Sequence, residues 1–91
     1  MTLEWTKSFI KHYQKLPQHI QKQTDRKLGF LLQDFNYPSL RIKKTQGSIR
    51  GKKVVGIYEL SITKQYRLLF QKNPNAYILL IIGTHKEILG I

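Results

Sequence analysis

The period of the apolar residues changes once along this 91-residue chain, from 3.6 to 2, and that change limits it to helices first and a sheet afterwards. Over residues 7–16, Phe9, Ile10, Tyr13 and Leu16 fall at helical spacing, and Thr6 stands ready to cap the N-terminus by accepting from Ser8 or Phe9. Pro17 has no N–H to lose and suits the first turn of a second helix. There Ile20, Thr24, Leu28, Leu31, Leu32 and Phe35 form one stripe, with Lys22, Arg26 and Gln33 on the opposite side. Gly29 costs this helix about 1 kcal/mol relative to Ala, and Asn36-Tyr37-Pro38-Ser39 ends it. Residues 2–5, ahead of the first helix, read as a short edge strand.

From Leu40 onward apolar and polar residues alternate, first as Leu40 and Ile42 against Arg41 and Lys43. Residues 45–53, with Gly47, Gly51 and several bases, read as a mobile basic loop. Residues 54–63 predict a long strand with Tyr58, Leu60 and Ile62 on one face and Ile57, Glu59, Ser61 and Thr63 on the other. Lys64-Gln65 makes a tight hairpin connection. The next strand turns Tyr66, Leu68 and Phe70 toward the helices and Arg67, Leu69 and Gln71 away from them. After Asn73-Pro74-Asn75, residues 77–82 are apolar on both faces, as a strand buried on both sides requires. The expectation is one α+β domain over residues 1–91: a short N-terminal strand and a two-helix hairpin packed on one face of an antiparallel sheet.

Charge narrows the partners. Lys and Arg total 16 against 5 Asp and Glu, a formal net charge of +11. Residues 41–72 concentrate it, with nine bases against Glu59 alone. Bases grouped on one sheet and its rim favour a polyanion such as nucleic acid. Cysteine is absent, which excludes disulfides, zinc-thiolate sites and thiol catalysis. Gly-rich phosphate loops, carboxylate clusters and His pairs at metal spacing are also missing, so neither a metal nor another cofactor is expected. The longest apolar run, residues 76–82, is too short for a bilayer, and no signal peptide is visible at the N-terminus. A cytoplasmic protein with no membrane partner is the expectation.

Three residues on the sheet face away from the helices invite two readings. Glu59 and Arg67 should share that face across the hairpin, and the plainer reading is a cross-strand ion pair with His85 at a strand end in water. The other reading is RNA cleavage by internal transesterification. That reaction needs a base for the ribose 2′-OH, a cation for the phosphorane and an acid for the 5′-oxygen. Glu59, Arg67 and His85 supply those chemical types without a metal, and DNA, lacking the 2′-OH, would be refractory.

The opening LEWTKSFIKHYQKL followed by Pro17 resembles the start of the RelE/ParE toxin superfamily, with a short strand, a Thr cap and a Phe-centred helix ending in Leu-Pro. LRIKKTQG, GIYELSITKQYRLLFQ and YILLIIGTHKEIL are similar to its middle and C-terminal strands, and Tyr66-Arg67 followed by Gly83-Thr84-His85 is the most specific part. The resemblance covers essentially the whole chain. It implies the toxin of a bacterial toxin–antitoxin pair, a ribosome-dependent endoribonuclease acting on mRNA and silenced by an acidic antitoxin. Arg67 then matches the transition-state arginine, His85 an acid or base, and Glu59 a recurring acidic position. Lys43, Lys44, Arg50, Lys52 and Lys53 lie where relatives put phosphate-binding bases, and Lys64 in the hairpin is a further candidate RNA contact. No tyrosine follows His85, where several active relatives have one. Two alternatives stay open: a ParE-like inhibitor that binds DNA gyrase without catalysis, and a plain basic RNA-binding module. Neither needs Glu59, Arg67 and His85 together.

Overall fold

The computed structural model describes residues 1–45, 48–49, 52–53 and 56–89. Strand β1 (Thr2–Trp5) leads into α1 (Lys7–Gln14) and α2 (Gln18–Gln33). A 3-10 turn (Pro38–Leu40) follows, then β2 (Lys43–Lys44), β3 (Ser48–Ile49), β4 (Lys52–Lys53), β5 (Ile57–Ser61), β6 (Tyr66–Lys72), β7 (Ala76–Thr84) and the short helix α3 (His85–Leu89). The expected cap is present: Thr6 Oγ1 accepts from Phe9 N at 3.1 Å. Pro17 precedes α2 as its cap residue, its carbonyl accepting from both Ile20 N and Gln21 N.

The main sheet has strand order β1-β7-β6-β5-β2. Its β2–β5, β5–β6 and β6–β7 pairs are antiparallel, as the alternation implied. The edge pair β1–β7 is parallel, which makes the sheet mixed. A parallel neighbour needs a long crossover rather than a hairpin, and everything from α1 to β6 serves as that crossover. Thr6 fastens the join, its hydroxyl donating to the carbonyls of Leu79 and Leu80 at 3.2 and 3.0 Å.

Both helices cover one face of the sheet. Phe9, Ile20, Leu28, Leu31, Leu40, Leu60, Leu68, Phe70, Leu79 and Ile82 are buried between the layers. Phe35, Tyr58, Phe70 and Tyr77 pack ring against ring at the far end. Leu32, which the stripe counted as core, is 44% exposed. At 100° per residue it drifts off the buried line that Ile20, Thr24, Leu28 and Leu31 keep. Leu40 is buried as expected but from the 3-10 turn, so strand geometry begins only at Lys43.

Two further differences bear on function. Residues 45–53 are not simply a loop: Ser48 pairs with Lys53 and Ile49 with Lys52 in a small antiparallel sheet of their own. The strand expected from residue 54 is seen from Ile57, after a bend at Gly56 with φ 72°; residues 54 and 55 lie outside the described residues. The opposite sheet face is also less polar than the sequence suggested. Ile57, Leu69, Ile81 and Ile88 form a second, smaller core there, closed by α3.

Candidate active site

Strand pairing decides which candidates meet. Ser61 is opposite Arg67, Glu59 is opposite Leu69, and Lys43 is opposite Glu59. Paired residues project to the same side, so Lys43, Glu59, Ser61 and Arg67 share the face away from α1 and α2. There Arg67 Nε lies 3.4 Å from Glu59 Oε1, with the two side chains 24% and 21% exposed. That is half-shielded from water, where an ion pair is worth a fraction of a kcal/mol to about 1 kcal/mol.

The turn below fixes the rest of the guanidinium. Thr63 Oγ1 accepts from Gln65 N and Tyr66 N, both at 3.2 Å, which shapes the β5–β6 connection without an Asn-Gly pair. Arg67 Nη1 then donates to the carbonyls of Thr63 and Tyr66. Among the described residues nothing accepts from Nη2. A planar fork held on one edge and open on the other is preorganised to receive an anion.

His85 comes from a different element. Arg67 is opposite Gly83, and two residues later the chain leaves β7 and enters α3. Thr84 and Glu87 start that helix reciprocally: Glu87 N donates to Thr84 Oγ1 at 3.2 Å, and Thr84 N donates to Glu87 Oε1 at 3.0 Å. This is a capping box, and it sets His85 as the first helical residue, exposed to solvent. The Thr84 backbone N–H, and after it the Thr84 hydroxyl, hold the Glu87 carboxyl below its usual pKa. A Cβ at Gly83 would meet Glu87 Cβ and Oε1 at 3.4 Å, ordinary van der Waals contact, so the Glu87 side chain packs directly over this position. Among the described residues no hydrogen bond or ion pair joins His85 to Arg67 or Glu59.

The basic candidates separate by parity. Lys43 stands beside Glu59, whereas Lys44, opposite Tyr58, belongs to the helix side and lines a hollow with Phe35, Tyr37 and Arg41. Lys52 and Lys53 are adjacent on β4. Arg50 lies outside the described residues. Lys64 is exposed in the turn and lines a depression with Arg67 that also takes in Arg41 and Lys27. Neither Arg41 nor Lys27 stood out in the sequence, because nothing local tells a helix lysine or a turn arginine that it will meet a distant hairpin. The capping box was readable: Thr84-His85-Lys86-Glu87 before Ile88-Leu89 is its pattern. Among the described residues no group of His, Cys, Asp and Glu could hold a metal ion.

The fold, a two-helix layer on a mixed five-stranded sheet, is shared with solved RelE-type and YoeB/ParE-type toxins. A chain of the RelB–RelE antitoxin–toxin complex from Methanococcus jannaschii superposes with a TM-score of 0.71 at 22% identity, covering 92% of each chain. The YoeB/ParE toxin from Agrobacterium tumefaciens gives 0.74 at 14% identity, over 93% of this chain and 99% of that one. YafQ from E. coli gives 0.64 at 17% identity, over 93% of each. No protein-family model matches the sequence, and no curated protein matches it.

Proposed function

We propose that the chain is the toxin of a toxin–antitoxin pair and that it cleaves mRNA on the ribosome. The observation that carries the reading is the Glu59–Arg67 pair, with its open guanidinium edge, on the basic face of a RelE-type fold. In this mechanism Arg67 holds the phosphate through Nη2 and stabilises the charge that grows on the phosphorane oxygens. Glu59 takes the proton of the ribose 2′-OH as that oxygen attacks phosphorus. His85 gives a proton to the departing 5′-oxygen, leaving a 2′,3′-cyclic phosphate and a 5′-hydroxyl. Lys43 adds positive charge beside Glu59, and Lys52, Lys53, Lys64 and Arg50 extend the field along the RNA.

His85 follows β7, one strand from Arg67 and two from Glu59, and a ribosome-bound RNA threaded between α3 and β5 would bridge that separation. The partner in the cell is an acidic antitoxin. Solved relatives of this fold include a RelB–RelE complex from Pyrococcus horikoshii and a YoeB–YefM complex from Staphylococcus aureus. A net charge of +11 makes such an association fast and salt-sensitive. The test is purified protein with programmed ribosomes, with cleavage ends mapped for the wild type and for Arg67→Ala. A folded Arg67→Ala protein that cuts at the wild-type rate refutes Arg67 as the phosphate-binding group, and a wild-type protein that cuts nothing refutes the nuclease and moves a gyrase-binding role ahead of it.

A further inference from the structure

Where α2, the 3-10 turn and the β5–β6 hairpin meet, a depression of about 190 Å³ is lined by Lys27, Ser39, Arg41, Thr63, Lys64 and Arg67, together with Ser61 and Ile62. Four cations and no acid line it. Its donors are only partly used. Lys27 Nζ gives one hydrogen to Ser39 O at 2.9 Å and has two more. Thr63 Oγ1 accepts two backbone N–H groups and keeps its own hydrogen to donate.

We propose that this depression binds a backbone phosphate of the RNA, adjacent to the phosphate that Arg67 serves on the sheet face. The proposal rests on the nuclease reading for the identity of the polymer. Arg67 belongs to both places: its Nε is paired with Glu59, and its Nη1 is anchored on the hairpin turn at the rim of the depression. An RNA strand carries its charges at regular intervals, so a phosphate at Arg67 brings a neighbour toward Lys64, Lys27 and Arg41. The cations are also held together against their own repulsion. Burial, with Arg26 and Arg41 nearby, pushes the Lys27 ammonium below its usual pKa, and a bound phosphate would reverse that.

The experiment is an amide NMR titration of the full chain with inorganic phosphate, a cleavage-resistant 2′-O-methyl RNA oligonucleotide, and a polyglutamate peptide of equal charge. Phosphate and oligonucleotide should both shift Ser39, Arg41, Thr63 and Lys64. Lys64→Gln, in an exposed turn, and the pair Lys27→Gln with Arg41→Asn should each bind the oligonucleotide more weakly, by about tenfold per removed cation. Asn accommodates the left-handed backbone of Arg41, φ 49°. The salt dependence of log K should become shallower by about 0.7 for each phosphate that is no longer neutralised. Oligonucleotide affinity within twofold of wild type in the folded variants overturns the proposal. So does a polyglutamate peptide that shifts these residues when the oligonucleotide does not, since that makes the depression a seat for an acidic protein. Binding is read without cleavage: oligonucleotide bound here by a wild-type protein that cuts nothing on programmed ribosomes refutes the nuclease and leaves the phosphate site standing. Cleavage abolished in Arg67→Ala with no binding here does the reverse.

Discussion

Arg67 and Glu59 are diagonal neighbours rather than opposite ones. Arg67 pairs with Ser61, and its guanidinium crosses the face of β5 to place Nε 3.4 Å from Glu59 Oε1. Ser61, with its small side chain, leaves that path clear.

Arg67→Ala should lower cleavage on programmed ribosomes by about 10²–10³, the usual cost of losing a preorganised transition-state interaction. Thermal stability should change by less than about 1 kcal/mol, because the pair is partly exposed. A large drop in melting temperature would mean that Arg67 acts by holding the β5–β6 turn.

His85→Gln should reduce cleavage only in part, because a histidine exposed at the start of α3 is replaceable by water as a proton donor. Glu59→Gln should fall between the two. If Glu59→Gln matches wild type in single-turnover cleavage, Glu59 serves Arg67 as a structural partner and is not the base.

Thr84→Ala should cost α3 about 1 kcal/mol and reduce cleavage along with it, since the helix sets the position of His85. The Glu87 carboxyl is held down in pKa by the backbone N–H and the hydroxyl of Thr84, so its contribution is complete above the unfolded value near 4.5. It is lost as pH falls through the lower folded value. Amide exchange in residues 84–88 should therefore speed up on acidification in the wild type and much less in Glu87→Gln.

Tyr13 Oη donates to Asp25 Oδ1 at 2.7 Å, joining α1 to α2. Burial first, and then Asp25, push its pKa up to about 12. The folded state thus prefers the protonated phenol. This stabilisation is complete below pH 10 and is lost between pH 10 and 12, as the unfolded chain ionises first. Absorbance titration should show a tyrosine that ionises late, and Tyr13→Phe should remove that step and cost about 1 kcal/mol.

Helix and strand order were legible because each buried layer imposes its own period on the sequence. The Thr6 cap, the alternation in β6 and the shared face of Glu59 and Arg67 follow from local rules. Other features depend on pairings that no local window contains. The parallel seat of β1 comes from residues more than seventy positions away. Ile57 and Leu69 looked like members of a solvent face until Ile88 covered them. Lys27 and Arg41 join Lys64 only because the 3-10 turn brings α2 beside the hairpin. Parity separated Lys43 from Lys44, though both carry the same charge and sit side by side in the chain.

The parallel contact of β1 with β7 has a consequence for how the molecule comes into being. Thr2 hydrogen-bonds to Asn75, and Thr6 to Leu79, each across 73 residues. At about 5–20 residues per second, synthesis of that interval takes roughly 4–15 s. For that time the first strand has been made and its neighbour in the sheet has not. β7 also supplies the partner of β6 and the lead-in to α3, so Arg67 has no finished surroundings before then. Until β7 has been made, the nascent chain lacks the finished sheet on which the Glu59–Arg67 pair is held.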